Sequence, residues 1–479
     1  MKIAVIGTGY VGLVSGACFA QAGYPVTCVD VDRAKVASLT KGRVPIHEPG
    51  LAEVMAEARR KGTLFFSSDS KAAAASADIV FIAVGTPPRE FDGHADLSDL
   101  NLVIGNIAPV LREGCLVVVK STVPVGTGDS IEEMIQRLRP GLKFDVVSNP
   151  EFLRAGCAVG DFKNPDRVVI GAESKRAKAV LAGVYVALGI DDRHILATRR
   201  RSAELIKYAA NGFLATKIAF INEIADLCEK LDAHIREVAV GIGLDTRIGP
   251  QFLSAGPGFG GSCFPKDARA LAKIGEECGA RVSIIETVLA SNDRRKRAIV
   301  KKIRMASGDD LRGKRIALLG LTFKAGTDDM RDAPAIALAE TLIEEGASIH
   351  AYDPVGMARA APLLPASVRY HASALEAARR ADVLVVVTEW DEFRQLDLVR
   401  LKREMATPLL VDLRNMFSEE HVTRLGFAYC GIGHQSAWHG PAVLPETSRI
   451  SALPVPSAAR IGRRNGLLTA EPLPSTPAE

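Results

Sequence analysis

Cys263 stands in the stretch GPGFGGSCFPKD, residues 256–267, with glycines at 256, 258, 260 and 261 before it and Lys266 and Asp267 after it. A thiol can add to an electrophilic carbon, and a neighbouring lysine favours the nucleophilic thiolate. Glycines let backbone lie close against a ligand. The competing reading is a small hydrophobe buried in a tight loop, the usual state of a free cysteine. Lys207 and Asn211, in KYAAN, are spaced i, i+4 and share one face of a helix. Singly, each reads as a helix-surface residue.

A second constellation opens the chain. Gly7, Gly9 and Gly12 form G-x-G-x-x-G after the apolar run IAVI, and Asp30 ends the next apolar run, VTCVD. Strand, tight turn and helix start would bring backbone N–H groups to a pyrophosphate, and Asp30 would accept from a ribose hydroxyl. An acid there favours NAD, because a 2′-phosphate would meet a negative charge. The second half lacks those glycines but has GLTFKAGTDDMRD, residues 320–332, after its first apolar run. Lys324 and Arg331 there either meet phosphates or are surface charges.

These residues must be held by regular elements. IAVIG, VTCVD, IVFIAVG and CLVVVKST are short apolar runs alternating with helical stretches, the pattern of a parallel sheet covered on both faces. The pattern restarts at GKRIALLG and continues through SIHAYDP, ADVLVVVT and PLLVDLRN, and the second run of each half ends in Asp, at 30 and 353. Between the halves, Ser202–Leu231 has no proline, one glycine and apolar residues round more than one face, predicting a long helix buried on several sides. The expected fold is α/β: two doubly wound Rossmann-like domains joined by a long central helix. Its divisions are 1–200 for NAD, 201–300 for the central helical region with the cysteine loop, 301–435 for the second Rossmann-like domain, and a disordered tail at 436–479, rich in Pro, Ser and Ala.

The 479 residues are too many for one ordinary core. A net charge of +4, from 60 basic against 56 acidic side chains, argues against a nucleic-acid or anionic-lipid surface. The run DRRKRAIVKKIR, 293–304, reads as a solvated helix face. Eight scattered cysteines without a C-x-x-C pair, and no Cys/His run of zinc spacing, predict a reducing compartment and no metal. The start MKIAVIG is a strand rather than a leader, and no apolar run reaches membrane length, so the cytoplasm is the expected location.

Taken together, GTGYVG, STVPVGT, NPEFLRAG, DFKNPDRVVIG, KYAANGFLATKIAFINE, RIGPQFLSAGPGFGGSCFPKD and TFKAGTDDMRDAP make the chain resemble the UDP-glucose 6-dehydrogenases, within the UDP-glucose/GDP-mannose dehydrogenase family. The resemblance runs from Met1 to about Gly433. It implies a four-electron oxidation of UDP-glucose to UDP-glucuronate by NAD, through a thiohemiacetal and a thioester on Cys263. It further implies that Lys207 and Asn211 bind the oxygen on the reacting carbon, that Glu151 is the base for thioester hydrolysis, and that Asp267 and Thr122 hold the water.

Implied cofactor contacts are Val11, Lys35, Thr86, Thr122, Lys266 and Arg331, beside the three glycines and Asp30. Implied substrate contacts are Glu151, Phe152, Leu153 and Arg154; Phe252, Leu253, Ser254, Ala255 and Gly256; and Gly260, Lys324 and Arg414, with Lys207 and Asn211. Arg247 would reach a neighbouring subunit's site, making the working unit a homodimer or higher homo-oligomer.

Two positions depart from the family pattern. Ala155 stands where a polar residue is usual, and His47 replaces an aromatic. Rival readings are a dehydrogenase of another nucleotide sugar (GDP-mannose or UDP-N-acetylmannosamine), a two-electron NAD dehydrogenase of a small hydroxy acid, and a nucleotide-sugar binding protein without catalysis.

Overall fold

A computed structural model describes residues 1–89 and 93–434; the tail expected to be disordered lies outside the described residues. Two sheets are present. The first contains β1 (Ile3–Ile6), β2 (Val26–Val29), β3 (Leu64–Ser67), β4 (Ile79–Ile82), β5 (Leu116–Val119), β6 (Asp145–Ser148), β7 (Val168–Gly171) and β8 (Ile195–Thr198), in the order β3-β2-β1-β4-β5-β6-β7-β8. All neighbours are parallel except β6 and β7, which meet antiparallel at Ser148 and Gly171.

The second sheet contains β9 (Arg315–Leu319), β10 (Ser348–Tyr352), β11 (Arg369–Tyr370), β12 (Val383–Val386), β13 (Leu409–Asp412) and β14 (Ala428–Cys430), all parallel, in the order β11-β10-β9-β12-β13-β14. Both sheets therefore reverse direction beside their first strand, where doubly wound folds bind ligands outside the strands' C-terminal ends.

The continuous apolar runs form fully buried strands because helices cover both faces. Ile3 and Val5 face one layer with Leu13 and Phe19, while Ala4 and Ile6 face another with Ile104 and Ile131. The second sheet divides alike, Ile316 and Leu318 on one face, Ala317 and Leu319 on the other. Each fully buried Leu, Ile or Val contributes about 1.5–3 kcal/mol.

The long helix spans Arg200–Leu231, 32 residues, and begins two residues earlier than the sequence predicts. At a rise of about 1.5 Å per residue it is roughly 48 Å long. Lys207, Asn211, Gly212, Ala215 and Asn222 are among its buried residues. Gly212 admits a close neighbour: a Cβ there would lie 3.0 Å from Ile285 Cδ1.

One expectation is corrected. The basic run lies on the helix Ser283–Ala306, but Arg295 within it is buried at 7% exposure. The helical period turns Asn292, Arg295 and Ile299 inward while Arg294 and Arg297 stay outside.

Candidate active site

Cys263 stands at the N-terminus of the helix Phe264–Glu277, with Pro265 in the first turn, where a missing N–H costs nothing. The glycine loop before it is pressed against the second sheet's first loop. A Cβ on Gly260 would lie 2.4 Å from the Asp332 carbonyl oxygen, and Gly261, at φ +85°, donates its N–H to Arg331 O at 2.7 Å. Side chains from two helices fix the rest of this loop. Asn222 Oδ1 accepts from Gly256 N at 2.8 Å, Asn292 bonds both N and O of Phe259 at 2.8 and 3.0 Å, and Arg295 Nε donates to Gly256 O at 3.0 Å. Sequence reasoning missed these three. Their signal was a polar residue at an inward helical position.

The long helix brings Lys207 and Asn211 inward. Lys207 Nζ lies 3.1 Å from Glu151 Oε1, and Asn211 Nδ2 donates to Asp267 Oδ2 at 2.6 Å. Glu151 Oε2 also accepts from Leu153 N at 2.6 Å, so NPEFL turns back on its own carboxylate. Lys266 Nζ is 2.7 Å from Asp267 Oδ1 but outside hydrogen-bond alignment, leaving that buried oxygen an ion-pair contact and no directed donor. Burial pulls the Lys207 proton off, yet Glu151, Cys263 and Asp267 outweigh it and raise the ammonium above its ordinary value.

The thiol behaves differently from the expectation of a lysine-favoured thiolate. Burial pushes the Cys263 thiol up, Glu151 and Asp267 push the same way, and Lys207 and the Ser262 hydroxyl only partly oppose them. The resting sulfur therefore keeps its proton.

Beneath Glu151 lies Lys120, fully enclosed and also missed in the sequence. Its Nζ is 3.1 Å from Asn149 Oδ1 and 3.2 Å from Tyr185 Oη, and Tyr185 donates to Asn149 Oδ1 at 2.6 Å. The network grips the residue two before Glu151. Glu204 does the same for the Thr122 loop, accepting from Gly126 N, Gly128 N and Ser148 Oγ at 2.7, 2.9 and 2.9 Å. Thr122 lines a small cleft with Ser121, Ser148, Glu204 and Lys207, and its carbonyl accepts from Thr86 Oγ1 at 2.8 Å.

The dinucleotide residues sit in the first sheet's crevice. Gly7 has φ +97°, and a Cβ on Gly12 would lie 1.9 Å from Gly7 O. A Cβ on Gly9 would meet nothing within 4 Å, and Gly9 starts the helix Tyr10–Gln21 without a side-chain cap. Its neighbouring N–H groups thus face an open space of the kind a pyrophosphate fills. Asp30 accepts from Thr8 N at 3.1 Å, Thr8 Oγ1 at 2.5 Å and Lys35 Nζ at 2.8 Å. Burial raises its pKa, but Lys35, Thr8 and the Asp32 N–H together hold it at about 2. The residues fit a dinucleotide. Val11 is half-buried against the core of this sheet.

The remaining candidates divide. Leu253, Ala255 and Gly256 are buried, Phe252 is half-buried with φ 64°, and Ser254 is exposed. Phe152 lies with the Arg167 guanidinium 3.8 Å from its ring centre and Lys207 Nζ 5.2 Å from it. Arg414 donates to Val387 O and Phe323 O at 2.8 and 3.1 Å, beside Gly256. Lys324 is half-buried, its pKa lowered by burial. Arg154 forks onto Asp161, Arg331 onto Asp329 and Arg247 onto Asp245, all three side chains largely exposed, and Arg331 also stands within electrostatic reach of Cys263. Ala155 is half-buried, next to the Arg154 carbonyl that accepts from Tyr10 Oη at 2.6 Å. Among the described residues no group of three His, Cys, Asp or Glu could hold a metal.

Two nucleotide-type sheets, a dinucleotide crevice on the first and a half-buried thiol on a glycine loop packed against the second define a dinucleotide-dependent oxidoreductase. The chain belongs to the UDP-glucose/GDP-mannose dehydrogenase family: its NAD-binding domain matches residues 1–188, its central domain 201–294 and its UDP-binding domain 317–419. The cofactor is NAD. A UDP-glucose 6-dehydrogenase from Rhizobium meliloti is 54% identical over 435 residues, 90% of this chain and 99% of that protein. One from Pseudomonas aeruginosa is 45% identical, covering 92% and 99%. Among solved structures, a UDP-glucose dehydrogenase from Pyrobaculum islandicum superposes with a TM-score of 0.83 at 38% identity, covering 90% of this chain and 98% of that one.

Proposed function

We propose that the chain oxidises UDP-glucose to UDP-glucuronate with two NAD, and that Cys263 carries the sugar between the two oxidations. The single observation behind this reading is the half-buried thiol within electrostatic reach of Lys207, Glu151 and Asp267, on a glycine loop tied to the second sheet.

Bound NAD supplies a hydride acceptor. Lys207 and Asn211 hold the C6 oxygen, and the raised Lys207 stays charged as that oxygen gains negative charge. Loss of the first hydride, with the hydroxyl proton passing to water, leaves an aldehyde, whose remaining hydrogen cannot depart as hydride from a trigonal carbon. Cys263 adds through sulfur, its proton passing to the carbonyl oxygen, and the carbon becomes tetrahedral. Loss of the second hydride, with the thiohemiacetal hydroxyl proton again passing to water, gives a thioester. Asp267, whose Oδ1 lacks a directed donor, and Thr122 hold water; Glu151 takes its proton; the C–S bond breaks and the thiol is restored. The sugar and uridine contacts carried by Phe252–Gly256, Gly260, Lys324 and Arg414 belong to the same reading, as do the domain divisions at 200, 300 and 435.

The test is stoichiometry. Two NADH per UDP-glucose consumed are expected, and one NADH per sugar overturns the role of the thiol. Cys263→Ser loses turnover on this reading; nearly full activity in that variant overturns it equally.

We also propose a homodimer. Leu205, Phe213, Phe220, Leu227 and Leu231 are 44–67% exposed and recur at helical spacing on one stripe of the long helix. Arg247, 87% exposed, stands beyond that helix in a surface ion pair with Asp245, and would leave it to reach a second copy's site. Sedimentation of Phe213→Asp/Phe220→Asp as a monomer supports this; an unchanged dimer refutes it. The reading places the protein in the cytoplasm, supported by cysteines that form no disulfide among the described residues. No helix among those residues is long and apolar enough to cross a membrane.

A further inference from the structure

At the opposite end of β9 and β10 from the nucleotide loop, basic residues collect on one face of the second sheet. The register pairs Arg315 with Ser348 and His350 with both Ala317 and Arg369. Side chains alternate along a strand, so Arg315 shares its face with Ala317 and Leu319, and His350 shares the same face with Tyr352. Arg369 is on the edge strand and His371 just past its end, two residues on, and His350 Nδ1 lies 2.8 Å from His371 Nε2 with the rings stacked. The short helix Ala374–Ala378 covers this face and hands the chain on to Arg379 and Arg380.

Three features of this cluster call for an anion. Arg315, Arg369 and Arg380 have no side-chain ion pair among the described residues, whereas Arg379 is matched by Glu404 at 3.2 Å. Arg315 Nε is buried without a hydrogen-bond partner, and an orphaned buried donor needs an acceptor from outside the chain. The charges also oppose one another: after burial, Arg369, Arg380 and Arg379 all push the Arg315 proton off. The histidine pair feels the same field. Burial, Arg315, His371 and Arg369 push His350 down to about 4, and burial, Arg315 and Arg369 lower His371 against the opposing charge of Glu376.

We propose that Arg315, Arg369, Arg380 and the His350–His371 pair form a binding site for a small phosphate-bearing anion, separate from the NAD and sugar sites. Guanidinium forks match phosphate oxygens two at a time, and a dianion supplies the charge that three unpaired arginines lack. An anion against the imidazoles also favours a second proton on the pair. Binding is therefore linked to proton uptake and tightens as pH falls.

The probe is pyrophosphate, titrated calorimetrically into the full chain in NADH and UDP-glucose, a mixture that fills both nucleotide sites without turnover. One site per chain is expected, with affinity, once corrected for the protonation of pyrophosphate itself, at least tenfold tighter at pH 6 than at pH 8. Arg369→Gln/Arg380→Gln, both exposed positions, should weaken it at least tenfold while leaving kcat and KM for UDP-glucose and NAD unchanged. Arg315→Gln should do the same. No heat up to millimolar pyrophosphate overturns the proposal. So does binding that the variants leave untouched, or that sulfate matches at every pH. Inorganic phosphate and ATP in parallel distinguish a single phosphate group from a polyphosphate chain as the natural ligand.

Discussion

Asn211 and Asp267 are joined by a 2.6 Å hydrogen bond that ties the long helix to the helix begun by Cys263. Both residues are buried, so neither has water as a substitute partner. Removing the amide in Asn211→Ala leaves Asp267 Oδ2 without its donor and the reacting oxygen without one of its two proposed holders. A loss of roughly 10²–10³ in kcat is expected, with about 1–3 kcal/mol of stability. Steady-state rates and a denaturant midpoint on the same preparation check both.

Glu151→Gln removes the proposed base but keeps a group that can face Lys207. The oxidations should then outrun hydrolysis. Rapid mixing with UDP-glucose is expected to show a burst approaching two NADH per site before a slow phase, with the sugar nucleotide attached at Cys263 by mass. A linear trace without a burst removes Glu151 from the hydrolytic step.

Lys120 predicts a pH dependence. Burial brings its ammonium from an ordinary 10.5 to about 8, with Glu151 opposing and Lys207 assisting. Between about pH 8 and 10.5 the unfolded chain holds a proton that the folded chain has released, so this residue makes stability rise with pH across that window. Cys28 and Cys115, pushed up to about 12 by burial, act in the opposite sense above pH 9. The informative quantity is therefore wild type minus Lys120→Met. That difference should climb by on the order of 1–3 kcal/mol through the window, and a flat difference contradicts the assignment.

The two ends of the glycine turn separate fold from ligand. Gly12→Ala forces a Cβ against Gly7 O and should cost at least about 1–3 kcal/mol. Gly9→Ala meets open space, so its melting temperature should stay near wild type while its KM for NAD rises tenfold or more. Thermal melts and NAD titrations on both variants decide.

The elements that sequence reading recovered were those whose signal is local. IAVI and IVFI are apolar throughout, and VTCV apart from Thr27, because helices cover both faces, and G-x-G-x-x-G carries its turn geometry in its own residues. Lys207 and Asn211 were legible through a single helical repeat together with the family resemblance. Asn222, Asn292, Arg295 and Lys120 were not, because their partners lie 29 to 69 residues away and only the tertiary fold brings them together. Arg295 was hidden among its neighbours, since charge composition averages over a helix that the 3.6-residue period divides. The elevated thiol was illegible for a related reason: adjacency to Lys266 is visible in the chain, whereas two carboxylates and enclosure are not.

The crossing of Gly260 and Gly261 over Asp332 and Arg331 couples chemistry to integrity. A molecule whose second sheet has begun to melt also loses the placement of its sulfur. On the proposed mechanism, damage thus silences the reaction as a whole, instead of leaving a half-working catalyst that releases free aldehyde.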